Sequence, residues 1–413
     1  MNKVILILTL LQCHFLGFTQ ESILVKFTVD ASSLKGITNL GVRGSASPLS
    51  WEKTILLKDD DKDGIFEGGL SFPNTIEVLE YKYVYGDKVL VWELEAQNRI
   101  LIFDNKQLQT NDTWNLQTPF DVKKLPKINA EKLTEDFNIF RKAHLEVHPG
   151  LYRYNTKNQI DSIFNHFQII FSKPLTHQEA FLNFTKLTSA IKCGHTFPSF
   201  YNQTGFIQEV VLNQKDKLPF AFRVIDERIF ITESIVENFD IPLGTEILSI
   251  NGVPTQILLQ ETAKLVKADG ANDGKRYADL NTFGVGGYFE MFDAYFPLLY
   301  PPINEQYTIK IIKPNATQPE ELKVNTVGRQ ERSNALLKKN PNHITKADQL
   351  WNLEFWEDNT AYLQLGTFDV FQLSFEWSKF LKDAFKEIKK KIPKTWLLTF
   401  AGTRADKMRC CFS

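Results

Sequence analysis

The hydrophobic pattern changes its period near residue 129, and this change constrains the fold more than any other feature. Before about residue 104, apolar residues alternate in short runs such as "ILVKFTVD", separated by Gly, Pro and Asp clusters. From residue 129 to about 199 they recur every three to four residues, as in "AEKLTEDFNIFRKAHLEV". A period of two is typical of half-buried strands, and a period near 3.6 of amphipathic helices. We therefore predict a multidomain α+β fold in which a β domain precedes helical material.

Turn signals in the first hundred residues indicate the architecture of the β domain. Several short strands, with turns every 8 to 12 residues, predict an immunoglobulin-like β-sandwich. The acidic run "DDDKDGIFEG" is interpreted as a turn on Asp63-Gly64, because it lacks the distal Glu of an EF-hand calcium loop.

Three later segments predict particular local structures. "KPLTHQEA" places Thr176 as a helix N-cap with Glu179 three residues on, which is a capping box. "FAFRVIDERIFITESI" predicts a β-hairpin, and "FEWSKFLKDAFKEIKKKIPKTWLL" predicts an amphipathic helix followed by a buried strand. This last run is typical of a β-α-β unit in a larger α/β sheet.

Charge and composition exclude several classes of partner. With 48 basic and 49 acidic residues the formal net charge is −1, which offers no footprint for nucleic acid or for an anionic membrane surface. The four Cys have no metal-ligand spacing and predict no disulfide framework. We therefore expect no cofactor, no bound metal and no nucleic-acid partner.

The N-terminal stretch "MNKVILILTLLQCHFLGFTQ" indicates export. Lys3 is followed by about fourteen mostly apolar residues, which is short for a membrane span and suitable for a secretory signal. We expect a secreted or periplasmic protein without a membrane span.

The stretch "PLGTEILSINGVP" resembles PDZ modules, which bind peptide ends by adding a strand. It combines a Gly244 turn, a strand through Ile247 and Ile250, and the tight turn Asn251-Gly252. The resemblance implies that Gly244, Ile247 and Ile250 contribute to peptide binding. An ordinary hairpin is the alternative, since Asn-Gly is a common hairpin signal.

Four features in order resemble the tail-specific, or C-terminal-processing, serine protease family. They are "HPGLYRY" at 148–154, "CGHTF" at 193–197, the PDZ-like "GTEILSINGVP" at 244–254 and "AYLQLGTF" at 361–368. The resemblance implies a secreted serine-type endopeptidase with a polypeptide substrate, in which His195 is a possible base in one branch of the family. Cys193 departs from the usual acidic residue before Gly-His-Thr. A structural histidine remains the alternative reading of His195.

In that family a motif of the type Asp-x-Arg-x-Asn-x-Gly-Gly follows the last strand, and the nucleophilic Ser lies further downstream. Here "TFAGTRADKMRCCF" follows Leu398 instead. Read in a shifted frame, these codons can encode Asp-Phe-Arg-Gly-Asn-Glu-Gly-Gly, which matches the motif. We therefore expect an aberrant tail and a chain that ends before the nucleophile and is inactive alone. The alternative is a non-catalytic secreted protein that binds carbohydrate or peptide.

The β domain resembles starch-binding domains of the immunoglobulin-like type. Exposed aromatic rings stack on the apolar faces of glucose units, while polar groups bind the hydroxyls. The resemblance implies α-glucan contacts by the following residues: Trp51, Lys82, Trp92, Glu93 and Asn98. A spacer that binds no sugar is the alternative.

These patterns and resemblances together give the predicted organisation. The segments are a signal peptide at 1–20, the starch-binding-like sandwich at 21–105, a linker at 106–128, a helical N-terminal part of the protease at 129–205, a PDZ-like region at 206–330, the start of the α/β catalytic core at 350–398 and the aberrant tail at 399–413.

Overall fold

A computed structural model describes the chain over most of its length. The described residues are 22–37, 39–87, 89–93, 98–103, 107–116, 121–199, 205–237, 239, 241–285, 290–341, 347–366, 370, 373–400 and 408–412. The chain forms two compact units, one of Met1–Ile128 with Phe200–Gln208 and one of Asn129–Ser199 with Glu209–Ser413. Sheets and helices occur together, so the multidomain α+β class is confirmed. The predicted signal peptide lies outside the described residues.

Two sheets enclose the core of the first unit. The strands are β1 (Ser22–Asp30), β2 (Gly41–Gly44), β3 (Ile55–Leu56), β4 (Ile65–Pro73), β5 (Val78–Tyr85), β6 (Val91–Trp92), β7 (Arg99–Ile102), β8 (Gln107–Gln109) and β9 (Asp112–Thr113). One sheet has the order β4-β1-β8, with β9 also paired to β1, and the other has the order β3-β2-β5-β6, with β7 also paired to β5. A short 3-10 helix at Val122–Lys124 follows.

The alternation in β1 shows how the sequence builds this core. Val25, Phe27 and Val29 are fully buried, whereas the residues between them are partly exposed. Successive side chains of a strand point to opposite faces, so this pattern turns one face of β1 towards the other sheet. Tyr81 and Tyr83 of β5 fill the same core from the facing sheet.

A buried ionic cluster, which we call the Arg99 cluster, lies in the sandwich. Arg99 donates to Glu93 from Nε and Nη2, each at 2.8 Å, and to Asp112 from Nη1 at 3.0 Å. The hydroxyls of Tyr81 and Tyr83 both donate to Asp112 Oδ2 at 2.8 Å. Burial raises the pKa of both tyrosines well above its usual value, so they remain hydrogen-bond donors.

Helices occur mainly in the second unit. They are α1 (Ala130–Val147), α2 (Lys157–Phe171), α3 (His177–Ile191), α4 (Gly205–Ile207), α5 (Thr255–Ala263), α6 (Asp273–Ala278), α7 (Met291–Leu299), α8 (Arg329–Lys339) and α9 (Trp377–Lys391), with a π-helical turn at Gln208–Leu212 and a 3-10 turn at Ala347–Leu350. Within the described ranges no helix combines the length and the apolar character that a membrane crossing requires.

The first three helices pack through an aromatic layer. Phe137 of α1 stacks on Phe171 of α2 with ring centroids 5.6 Å apart, and Phe184 of α3 stacks on Phe171 at 4.4 Å. The predicted capping box at the start of α3 is confirmed. Thr176 Oγ1 accepts from the Glu179 amide at 3.1 Å, and the Glu179 carboxylate accepts from the Thr176 amide at 2.8 Å.

A sheet in the middle of the second unit, which we call the middle sheet, begins with the predicted hairpin. Its strands are β10 (Phe220–Ile225), β11 (Arg228–Ser234), β12 (Glu246–Ile250), β13 (Val253–Pro254), β14 (Gln306–Ile312) and β15 (Glu320–Asn325). The order is β10-β11-β12-β14-β15, with β13 also on β12. The hairpin β10–β11 is antiparallel, and Asn251-Gly252 turns β12 into β13 with φ of 48° and 78°. Both local predictions are confirmed.

The last sheet contains β16 (Asn352–Phe355), β17 (Thr360–Leu365), β18 (Thr395–Phe400) and β19 (Met408–Phe412), in that order. Strands β17 and β18 are parallel and α9 connects them, which confirms the predicted helix-to-strand run. The sequence pattern predicted no regular element after Leu398, whereas β18 continues to Phe400. The structure instead pairs β19 antiparallel with β18, and backbone pairing of this kind needs no alternation of side chains.

Candidate functional site

His195 lies on an exposed turn just after α3, between two anchored neighbours. The helix ends at Lys192, whose φ of 61° reverses the chain direction. The Gly194 amide donates to Asp269 Oδ1 at 3.1 Å, and Thr196 Oγ1 lies 3.0 Å from His148 Nε2. The imidazole of His195 itself is exposed. The turn is therefore held on both sides of a solvent-facing histidine.

His148 connects the predicted "HPGLYRY" segment to this turn. Its Nδ1 accepts a hydrogen bond from the Gly150 amide at 3.1 Å. A neutral imidazole carries its proton on one nitrogen only, so Nε2 is the protonated atom and donates to Thr196 Oγ1. The ring of His148 also stacks against that of His144 at 5.5 Å, and burial lowers the pKa of His144.

Asp269 and Gly270 form the third side of the site, and no sequence motif marks them. The Gly270 amide donates to the Lys192 carbonyl at 3.0 Å. Gly270 has a φ of 58°, and a Cβ placed there would lie 3.0 Å from the ring of Tyr154. Glycine is therefore required by both backbone conformation and close approach. Segments 148–154, 193–197 and 269–270 meet at one place.

A groove of about 580 Å³ opens beside this turn. Arg276 lies on its wall and donates to the Gly270 carbonyl at 2.9 Å, which links the groove to the site. The lining residues are Lys186, Ser189, Ala190, Lys192, Gln260, Glu261, Ala263, Lys264, Leu265, Asp273, Arg276, Tyr277 and Leu299. The groove therefore has a mixed lining of four basic, two acidic and seven uncharged residues.

Lys267 lies close to the same turn. Its Nζ sits 3.4 Å from the ring centroid of Phe197, which is a cation–π contact. Burial, with the positive charge of Lys275 as a second cause, lowers the pKa of Lys267. The site therefore contains a lysine that loses its proton more easily than an exposed one.

The predicted peptide-binding residues lie in and beside a central strand. Ile247 and Ile250 of β12 are fully buried, and β12 pairs with β11 on one side and β14 on the other. Gly244 occupies the turn before β12 with a φ of 84°. Neither isoleucine therefore lies on a strand edge to which a peptide could add.

In the sandwich, four of the five predicted sugar-binding residues lie on or beside the outer face. Val84 of β5 pairs with Trp92 of β6, so Trp92 shares the outer face with Lys82. The rings of Trp51 and Trp92 have centroids 6.4 Å apart, and the Arg43 guanidinium lies 5.3 Å from the Trp92 ring. Trp92 is 39% exposed.

Lys82 and Asn98 border this aromatic pair. The register Tyr81↔Arg99 places Asn98 opposite Lys82, and Asn98 Nδ2 donates to Glu80 Oε2 at 2.9 Å. Lys82 is largely buried, and this burial lowers its pKa.

Glu93 occupies a different position from the other four. It follows Trp92 directly, so its side chain points to the opposite face, where it is completely buried against Arg99. It also accepts from the Tyr83 amide at 2.9 Å. The Glu93 carboxylate therefore belongs to the core and does not share the outer face with Lys82 and Trp92.

The acidic turn places three carboxylates near one another. Oxygens of Asp59, Asp61 and Asp63 lie within 4.8 Å of one another. Asp59 accepts from the amides of Asp63 and Gly64, each at 3.1 Å. These bonds are those of the predicted turn.

No protein-family model matches this sequence, and none of the curated proteins is significantly similar to it. The structure is similar to solved structures of CPAF. Mature CPAF has a TM-score of 0.39 at 11% identity, a CPAF mutant 0.42 at 10%, and mature CPAF complexed with lactacystin 0.41 at 11%. Each similarity covers 66% of this chain, which spans 55–56% of the length of the CPAF chains.

Proposed function

We propose that the second unit is the substrate-binding and base-supplying part of a serine-type endopeptidase of the tail-specific kind. The supporting observation is that two sequence motifs meet through the bond between His148 and Thr196, which are 48 residues apart in the chain. Those motifs carried the resemblance in sequence, and the structure joins them around an exposed His195. A polypeptide is the proposed substrate.

The anchored turn suits the role of a general base. A base must lie within hydrogen-bond reach of the hydroxyl that it deprotonates. If the segment that carries the base is mobile, the base spends less time in the reactive position. Asp269 holds the backbone amide of Gly194 and His148 contacts the side chain of Thr196, on the two sides of His195, while the His195 imidazole faces solvent and is accessible to a reacting group. The nucleophile that the resemblance implies follows β18 in sequence.

The test uses a fluorophosphonate probe and an unfolded protein substrate. Both are applied to the 413-residue chain and to the polypeptide obtained when the reading frame is shifted after Leu398. We expect labelling and cleavage only with the longer polypeptide, and loss of cleavage in its His195→Ala variant. His166→Ala is the matched control, because His166 is exposed on α2 away from the motif segments. A folded longer polypeptide that is neither labelled nor active would contradict the proposal.

A second candidate function is α-glucan binding by the sandwich. The observation in its favour is the pair of Trp51 and Trp92 with an exposed ring on the outer face, bordered by Lys82 and Asn98. Adjacent indole rings can stack on successive glucose units. We expect retention on insoluble starch to be lost in Trp51→Ala and Trp92→Ala. Trp377→Ala is the matched control, because Trp377 is 42% exposed in the second unit.

Export is the proposed localisation, and it rests on the N-terminal sequence. The measurement is the N-terminal sequence of the protein recovered from the medium or periplasm of the expressing cells. Removal of the first 20 or so residues is expected, and an intact N-terminus on cytoplasmic protein would contradict export.

A further inference from the structure

The outer edge of the middle sheet is covered by a segment of the chain itself. Strand β10 is the first strand of this sheet, and its side away from β11 exchanges two backbone hydrogen bonds with Thr282. The Phe222 amide donates to the Thr282 carbonyl at 2.8 Å, and the Thr282 amide donates to the Phe222 carbonyl at 3.1 Å. The Val224 amide donates to the side-chain oxygen of Asn281 at 2.8 Å.

These contacts are those of an added antiparallel strand with a short recognition motif. Backbone bonds of this kind give affinity to any extended peptide, and side-chain pockets give selectivity. Asn281 places its carboxamide oxygen on an edge amide, and Phe283 places its ring 3.8 Å from the Arg223 guanidinium. The segment therefore shows what β10 can recognise: an acceptor side chain, and an aromatic ring two residues later.

A buried ionic cluster, which we call the Arg332 cluster, holds the far end of the segment. The amides of Phe283 and Gly284 donate to Glu290 Oε1 at 3.0 and 2.7 Å. Arg332 is buried between Glu290 Oε2, at 3.1 Å, and the carboxylate of Asp293. The segment is thus fixed by its covering contacts on β10 and by one carboxylate behind it.

The fit of Gly284 shows how closely the segment is seated. Its φ is 74°, and a Cβ at this position would lie 2.5 Å from Leu336 Cδ1. Phe283, in contrast, is only half-buried beside Arg223. Phe283 can therefore be truncated to weaken the segment without altering β10 or its close packing.

We propose that the outer edge of β10 is a peptide-binding edge, and that residues 281–284 occupy it as an internal ligand. The external ligand is an extended polypeptide segment with Asn or Asp followed two residues later by an aromatic residue. Its identity as a substrate segment rests on the proposed endopeptidase function. When an external peptide displaces the internal segment, two backbone hydrogen bonds are replaced by two equivalent ones. The contacts of Phe283 and Glu290 therefore decide which of the two segments is bound more tightly.

The experiment measures binding of the fluorescein-labelled peptide Leu-Asn-Thr-Phe-Gly-Val, the sequence of residues 280–285, to the full chain. Fluorescence anisotropy is used with the wild-type protein and with Phe283→Ala, which weakens the internal ligand. We expect at least tenfold tighter binding by Phe283→Ala. A peptide with both Asn and Phe replaced by Ala is expected to lose most of this affinity.

Phe239→Ala is the matched control. Its ring is 42% exposed and also lies near a cation, the Nζ of Lys313 at 5.7 Å, but away from β10. Its peptide affinity should equal that of the wild type. Phe283→Ala is the first opening variant, that is, a variant that weakens the binding of residues 281–284 to β10. If circular dichroism and thermal unfolding show that it does not fold, Asn281→Ala is used as the second opening variant.

Hydrogen exchange at the Phe222 and Thr282 amides shows whether the segment opens. Faster exchange in the opening variant without a gain in peptide affinity would overturn the proposal, as would equal affinity for the doubly substituted peptide. The assay needs no turnover, so its failure is distinct from failure of the proposed endopeptidase function. If the longer polypeptide is labelled by the fluorophosphonate but Phe283→Ala gains no peptide affinity, this inference alone is overturned.

Discussion

Two buried arginines, Arg99 in the first unit and Arg332 in the second, have the same type of surroundings and different connections. Each is almost completely buried, and each pairs with two buried carboxylates. Burying an ion pair costs a large desolvation energy, which the attraction between the charges and their hydrogen bonds must offset. The net effect on stability therefore depends on whether the other polar atoms of the pair are also hydrogen-bonded. The two clusters differ in the other groups that donate hydrogen bonds to their carboxylates.

The Arg99 cluster is closed within the sandwich. Asp112 accepts from two tyrosine hydroxyls, Glu93 accepts from a backbone amide of β5, and Arg99 Nη2 also donates to the Thr113 carbonyl at 2.7 Å. Every one of these partners belongs to the strands or to the segment next to them. The cluster therefore fixes the packing of the two sheets.

The Arg332 cluster is connected to a loop. Glu290 accepts from the amides of Phe283 and Gly284, and Arg332 Nε has no hydrogen-bond partner among the described residues. Burial and the negative charge of Asp293 raise the pKa of Glu290 to about 6. For Asp293 burial acts in the same direction, but Arg332 outweighs it and lowers the pKa of Asp293. A buried arginine between two carboxylates is thus part of a permanent core in the first unit. In the second unit, where Arg329 also lies within 4.0 Å of Glu290, it is part of a titratable loop anchor.

The largest effect is expected for Arg99→Met. It leaves Glu93 and Asp112 buried without a cation, which costs about 3 to 5 kcal/mol in free energy of unfolding. Urea unfolding followed by hydrogen exchange within β5 measures the loss. The control Lys26→Met removes an exposed ion pair with Glu67 and should cost less than about 1 kcal/mol. A loss no larger than that of the control would contradict the description of the cluster as a closed core.

Arg332→Met should cost less, about 2 to 3 kcal/mol near pH 7, because Glu290 can take up a proton and Arg329 still lies 4.0 Å from Glu290 and 3.7 Å from Asp293. The loss should shrink as the pH falls towards 5, because a protonated Glu290 needs no cation. Hydrogen exchange within β10 and β11 at the two pH values provides the measurement. Arg228→Met, which removes an exposed pair with Glu246, is the control. A pH-independent loss would remove the distinction between the clusters.

Glu290→Gln tests the titration directly. The pKa of Glu290 is raised from 4.5 to about 6, so its proton binds more tightly to the folded state. Its stabilising contribution is full below pH 4.5 and is lost as the pH rises through 6, by roughly 2 kcal/mol. The stability of the variant relative to the wild type should therefore rise by that amount between pH 4.5 and 7. A flat difference across this range would show that Glu290 has an ordinary pKa.

Tyr83→Phe should have the smallest effect, about 1 kcal/mol, because the Tyr81 hydroxyl still donates to Asp112. Urea unfolding of the sandwich is again the measurement, and Tyr307→Phe, which removes a hydroxyl bonded to the Asp216 carbonyl in the other unit, should leave the sandwich unchanged. A loss of 3 kcal/mol or more would show that the Tyr81 hydroxyl alone does not satisfy Asp112.

The sequence predicted those features whose determinants are close together in the chain. The capping box of Thr176 and Glu179 spans four residues, and the Asn251-Gly252 turn needs only two. The orientation of Glu93 was available as well, because adjacent residues of a strand face opposite sides and Trp92 already occupies the outer face. The orientation was missed because Trp92 and Glu93 were both predicted to contact sugar, although adjacent residues of a strand cannot face the same side.

The contacts that the sequence did not reveal join distant segments. Asp269 binds the amide of Gly194 across 75 residues, and Arg332 reaches Glu290 across 42. No local period or motif marks an acidic residue as the partner of a remote backbone amide. The peptide-like seating of residues 281–284 on β10 was missed for the same reason, because strand pairing leaves no signature in a segment this short.

The position of β1 in its sheet has a consequence for synthesis of the protein. This strand is flanked by β4 on one side and by β8 and β9 on the other, although it precedes β9 by more than eighty residues. A nascent chain therefore carries one unpaired edge of β1 through translation of nearly the whole domain, until β8 and β9 emerge from the ribosome. Chaperones that shield apolar segments should bind the growing polypeptide in that interval and release it once Thr113 has cleared the exit tunnel.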